Sequence, residues 1–335
     1  MNKHHKSFLK ATTEWGLALL ISILILNCLI VPLYHFAPWI DIPCNATTGL
    51  FAPNSRIVYG LEGFSIRDVD TNGYANPTNR QNYENYILVM GSSHSVGKEV
   101  AQGKNYVDLL EKNGKLNIYN IAMDGNYFIE IMQGFDSALE QFQDANSIVI
   151  EINSVNYSHE ELLKAHDIRT YDYNYTGKNI FQTLSLKNKF KLYIQDYLPL
   201  MRQIQRNLKS NNSSNINTYS TNSDYDSNEY LEDLNSIFEE KRKIYDGNIV
   251  IVYHPNIVIN EEGNINIVKE YQVDNFKSAC IDNGIEFIDV SDDFIELYQN
   301  THKIPYGFYN TILGTGHLNK HGHQIIYEKL INYFK

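Results

Sequence analysis

Five short apolar runs, Tyr86 to Met90, Leu116 to Ile121, Ser147 to Ile152, Asn248 to Tyr253 and Glu286 to Val290, alternate with stretches of helical periodicity. Strands that are apolar on both faces must be covered on both faces, which commits the chain to a mainly parallel sheet between two helical layers. Helices are expected at Gly97 to Lys112, Tyr127 to Phe142 and Ile265 to Asn283, and Lys320 to Tyr333 closes the fold. Right-handed crossovers then give a three-layer α/β/α sandwich with a five-stranded, flavodoxin-like sheet. A chain of 335 residues can hold this as one large domain, 81–335. Ligands of such sheets bind beyond the carboxyl ends of the strands, where Ser93, Asp124, Asn153 and His254 would all emerge.

The N-terminus sets where that domain works. From Trp15 to Phe36 the chain has no Asp, Glu, Lys or Arg, and that length suits one bilayer crossing. Lys3, Lys6 and Lys10 precede the run and no Lys or Arg follows until Arg56, so the positive-inside bias puts residues 1–14 in the cytoplasm and the rest outside. Trp15 and Trp39 would mark the interfaces, and residues 37–80 would form an extracytoplasmic lead-in. A cleaved signal peptide is the competing reading, but the run is longer than a usual apolar core and lacks a clear small-x-small cleavage site. Residues from about 179 to 230 break the alternation: a helical-looking stretch is followed by a nearly all-polar run, expected to be a cap and a disordered loop.

A formal net charge of -11 with no basic cluster argues against nucleic acid as a partner and fits a neutral glycan better. Cys28, Cys44 and Cys280 are too few for a disulfide framework, although a bridge between Cys44 and Cys280 is possible. No histidine or cysteine spacing suggests a metal site, and no cofactor is expected.

The chemistry-bearing residues lie at two ends of this domain. Gly91-Ser92-Ser93 follows the first apolar run, and Gly314-Thr-Gly-His317 precedes the last helix. A hydroxyl becomes a useful nucleophile when a base takes its proton, and imidazole titrates near working pH. Ser93 and His317 are therefore the candidate catalytic pair. Asn153, closing the third run, is either a turn former or a donor to an oxyanion. His94, Asp124, His254 and Asn319 are candidates for the pocket, with a histidine satisfied by nearby backbone as the alternative for His254.

These blocks resemble those of the SGNH, or GDSL-type, hydrolases and acyltransferases. Gly91-Ser92-Ser93 is similar to the family's Gly-Asp-Ser, which implies Ser93 as nucleophile with its own N–H in the oxyanion hole. Asn120-Ile-Ala-Met-Asp-Gly125 implies the Gly125 amide as a second donor, and Ile150-Glu-Ile-Asn153 implies the Asn153 side chain as a third. Two departures stand out. Gly314 occupies the place of the aspartate that orients the histidine, so a main-chain carbonyl or a carboxylate such as Asp292 or Asp293 would have to replace it; Glu151 stands where the family has glycine and is expected to face solvent.

Gly60-Leu-Glu-Gly-Phe64 and Asp70-Thr-Asn-Gly-Tyr74-Ala-Asn76-Pro are similar to the lead-in of membrane-anchored SGNH proteins of bacterial envelopes, those of alginate and peptidoglycan O-acetylation and of D-alanyl-lipoteichoic acid biosynthesis. That resemblance implies O-acyl transfer or ester hydrolysis on a cell-surface polysaccharide, beside a multipass membrane-bound O-acyltransferase. The alternative is a non-catalytic glycan-binding or scaffold subunit, suggested by the missing aspartate.

Overall fold

The computed structural model describes residues 3–25, 39–40, 50–51, 53–59, 62–77, 84–169, 185–187 and 226–335. Its centre is a five-stranded sheet of β1 (Tyr86–Met90), β2 (Ile118–Asn120), β3 (Ala145–Ile152), β4 (Asn248–Tyr253) and β5 (Glu286–Asp289), in the order β2-β1-β3-β4-β5. Every neighbouring pair is parallel.

Alternate side chains feed two cores. Leu88, Met90, Ile148, Ile150, Ile152, Ile249 and Ile251 pack under the helices Phe128–Gln141, Ser227–Ile244 and Val273–Asp282. Ile87, Val89, Val149, Val250 and Val252 pack on the other face against Tyr106–Lys112, Ser291–Thr301 and Lys320–Phe334. Both faces are thus covered, as the apolar runs require. The chain leaves β1 toward β2 on one side and returns to β3 on the other, which puts the topological switch point beside the carboxyl end of β1.

Local chemistry redraws several expected elements. Gly97 to Lys112 is not one helix: Ser93–Val96 makes a single turn and ends at Gly97, whose φ of 61° leaves the right-handed region. A Cβ there would lie 1.8 Å from Asn105 Nδ2, and Asn105 caps the next helix by accepting from the Val107 N–H at 2.8 Å. Ile265–Ile267 is a strand, paired antiparallel with Ile257–Ile259, and the helix after it begins only at Val273. Ser227–Ile244 was not expected as a helix, yet Tyr230, Leu234, Ile237 and Phe238 form its buried stripe. Apart from 185–187 and 226–230, the insertion expected over 179–230 lies outside the described residues.

At the N-terminus, Lys3–Ile25 is helical, and among the described residues no helix is long and apolar enough to cross a membrane. The expected span overlaps this helix as far as Ile25, and residues 26–36 lie outside the described residues. Cys280 is a buried free thiol, and Cys44 is also outside them.

The lead-in is built into the domain. Arg56–Tyr59 and Ser65–Asp68 pair antiparallel, and buried Arg67 makes a two-pronged ion pair with Asp108, at 2.8 and 3.0 Å. Asp70 closes the turn that follows by accepting from the Asn72 and Tyr74 N–H groups at 2.8 and 3.0 Å, and from Asn76 Nδ2 at 2.8 Å. Asn76 then pairs with the Asn120 main chain, donating to its carbonyl at 2.9 Å and accepting from its N–H at 3.2 Å. Removing one member of a buried ion pair strands the other, so Arg67→Ala should lower stability by about 3 kcal/mol or more in urea titrations of the full chain.

Candidate active site

Strand β1 ends at Gly91 because nothing larger fits. A Cβ on Gly91 would lie 2.4 Å from Ser95 Oγ and 2.7 Å from Glu151 Oε2. Ser92 caps the following turn, its hydroxyl accepting from the His94 N–H, and the partly exposed Ser93 becomes the first residue of that turn. Ser93 is thereby held at the switch-point edge of the sheet.

His317 meets it from the far end of the chain. Ser93 Oγ lies 2.8 Å from His317 Nε2. On the other side of the ring, Nδ1 donates at 2.8 Å to Glu62 Oε2, and the same oxygen accepts the His317 main-chain N–H at 3.1 Å. This arrangement makes Nε2 an acceptor for the serine proton, as a base must be. Burial pushes the imidazole down, but the Glu99 and Glu62 carboxylates outweigh it and hold the ring above its ordinary value.

Glu62, which no expectation had singled out, is thus the group that orients the histidine. No main-chain carbonyl of the Gly-rich turn does so. Gly314 sits at φ 81° against Ile259, and Asp292 and Asp293 lie on the helix Ser291–Thr301, where Asp293 pairs with Lys329 at 2.9 Å. A Cβ on Gly316 would stand 2.6 Å from Glu62 Oε2, so glycine there keeps open the space into which the glutamate reaches.

The expected oxyanion donors are uncommitted. Neither the Ser93 N–H, nor the Gly125 N–H, nor the Asn153 side chain has a hydrogen-bond partner among the described residues. Gly125 turns at φ 76°, and Asn153 directly follows β3. The loop after Asn153 is tied down by Glu270, which accepts from Ser154 Oγ at 2.7 Å and from the Val155 N–H at 2.6 Å. Burial raises the Glu270 carboxyl above its usual range.

Glu151 does not face solvent. It is 1% exposed and accepts from the Ser92 N–H at 2.8 Å, from Ser92 Oγ at 3.0 Å, from Ser95 Oγ at 2.9 Å and from His254 Nε2 at 2.7 Å. Position 151 shares the face of Ser147 and Val149 on the central strand, and a carboxylate buried there must be paired. Burial alone would raise its titration point, but His254, His94 and the Ser92 amide reverse this and hold it at about 2.

The pocket candidates divide. His254 is fully buried between Glu151 and the Tyr306 hydroxyl, 2.7 Å from Nδ1, and so belongs to the core rather than the pocket. Asn319 caps the last helix and donates to the Ile304 and Gly307 carbonyls at 2.7 and 3.0 Å, which commits its side chain. His94 is buried 5.1 Å from the His317 ring and accepts the Leu318 N–H at 3.2 Å on Nδ1; burial and then His254 hold it well below the ordinary value, which keeps it neutral. Asp124, half-buried at the turn beside Gly125, is ion-paired with Lys98.

No protein-family model and no curated protein matches the sequence. Among solved structures the chain is similar to the psychrotrophic esterase EstA from a Pseudoalteromonas species, at 12% identity and a TM-score of 0.36, over 74% of this chain and 96% of that one. It is likewise similar to the acetyl xylan esterase AlAXEase, at 13% identity and a TM-score of 0.36, over 74% and 98% of the two chains. A candidate SGNH hydrolase from Slackia heliotrinireducens aligns at 12% identity and a TM-score of 0.36, over 76% and 100%. Likeness at this level decides nothing about the chain, whose chemistry is read from its own residues.

A carboxylate depressed in the folded state stabilises the fold above its unfolded titration range and stops doing so as pH falls toward its folded value. The stability difference between the wild type and Glu151→Gln should therefore be full above about pH 5, at on the order of 3 kcal/mol, and shrink as urea titrations are repeated at lower pH.

Proposed function

We propose that the chain is an SGNH-type serine esterase or O-acyltransferase. The observation that carries this reading is the hydrogen-bonded line Glu62–His317–Ser93, with the Ser93 N–H, the Gly125 N–H and the Asn153 side chain carrying no hydrogen bond among the described residues. Glu62 Oε2 fixes the tautomer of His317, and Nε2 takes the Ser93 proton as Oγ bonds to the acyl carbon of an ester. The tetrahedral oxygen takes up the negative charge, and the Ser93 N–H, the Gly125 N–H and the Asn153 carboxamide are the donors for it, each worth about 3 kcal/mol of barrier. As the intermediate collapses, the leaving alcohol takes the proton from Nε2. A second hydroxyl then gives its proton to Nε2 and attacks the acyl-serine, and Oγ recovers a proton when the product ester or acid departs.

Whether that second hydroxyl is water or a sugar decides between hydrolysis and transfer. The transferase on a cell-surface polysaccharide is the finer proposal. It draws on the lead-in resemblance, on the net charge of -11 and on the lysines that precede the apolar run from Trp15. The same features support an anchored, extracytoplasmic placement, with acyl groups delivered by a multipass membrane O-acyltransferase. The scaffold reading was motivated by the missing aspartate, and Glu62 removes that motive.

A fluorophosphonate probe on the full-length chain should label Ser93, as mapped by peptide mass spectrometry, and Ser93→Ala should abolish labelling. A folded wild-type chain that does not label would sink the proposal. Glu62→Gln keeps the shape but surrenders the charge and the tautomer control, and should slow labelling by about 100-fold or more.

A further inference from the structure

We propose that Glu99 is a positioning residue of this site, a second carboxylate that decides when His317 can act as a base; the inference rests on the Ser93–His317 reading above. The Glu99 side chain is 1% exposed, and its Oε1 has no hydrogen-bond partner among the described residues. That oxygen lies 3.7 Å from His317 Nε2, the nitrogen that faces Ser93, whereas Glu62 holds the opposite nitrogen. A carboxylate removed from water is costly unless a countercharge meets it. The group placed to supply that charge is the imidazolium of His317. Glu99 also follows closely on the turn that bears the nucleophile, two residues after Gly97 closes it at φ 61°.

Nε2 cannot serve both neighbours at once. In the neutral ring it accepts the Ser93 proton; in the imidazolium it carries a proton of its own, and Glu99 Oε1 is an acceptor within a small rotation of the ring. Protonated His317 therefore turns from the serine to the glutamate, and loss of that proton returns it to the serine. The charged and titratable groups facing the ring are Glu62, Glu99, Lys98, which is itself paired with Asp124, and His94, which burial and then His254 keep neutral. Glu99 and Glu62 favour the imidazolium, while burial and Lys98 oppose it.

The test is the rate of fluorophosphonate labelling of the full-length chain as a function of pH. The wild-type rate should fall on the acid side as His317 is protonated, and Glu99→Gln should move that limb down by about 1 to 2 pH units. An acid limb that stays at the wild-type position in folded Glu99→Gln overturns the inference. If Glu99→Gln does not fold, Glu99→Asp keeps the charge but draws it back from the ring, and should move the limb the same way by less; an unmoved limb again overturns it. Titration of the His317 ring signals by NMR reads the same shift whether or not Ser93 reacts. A chain that fails to label yet shows the shift would sink the proposed function and leave the role of Glu99 standing.

Discussion

The Ser92–Ser95 turn is held by one buried carboxylate. Glu151 closes the central strand with both oxygens engaged, accepting the Ser92 amide, two serine hydroxyls and a histidine N–H. A charge in that position would be ruinous if any partner were absent, so the Ser92–Ser95 turn and His254 are fixed together. Behind His254, the Tyr306 hydroxyl bonds the His254 and Pro255 carbonyls, each at 3.0 Å, and carries the network into the chain segment that leads to His317. Ser93 and His317 are thus supported by one continuous set of hydrogen bonds.

Much of the sheet was legible, because both-faces-apolar strands leave little choice of architecture, and β1 and β4 begin and end where their runs do. Helix boundaries were less so. The break at Gly97 depends on a left-handed turn packed against Asn105, and the strand at Ile265–Ile267 depends on pairing with Ile257–Ile259; neither is written in helical periodicity. The stripe of Ser227–Ile244 was visible in the spacing of Tyr230, Leu234 and Phe238, but it begins at the end of a polar run that masked it.

At the site, motif order brought out Ser93 and His317, and the structure puts them in contact. Glu62 was not legible because its contact with His317 spans 255 residues and no spacing in the sequence links the two. One signal was available: in Gly60-Leu-Glu-Gly-Phe64 the one acidic residue stands between two glycines, an economical way to aim a carboxylate. Glu151 was misjudged because its place at a strand end suggested a loop, although the alternation along β3 already put it on a covered face.

The origin of Glu62 in the lead-in gives the domain a topological lock. Glu62 belongs to the lead-in before β1, His317 to the last turn before the final helix, and Ser93 to the turn after β1 in between. An emerging chain therefore has no complete line from Glu62 through His317 to Ser93 until its last helix is reached. A single cut just after Gly63 would leave the sheet and the serine in place, with the acid held through the bonds between Gly63 and Asn310 and its own bonds to His317.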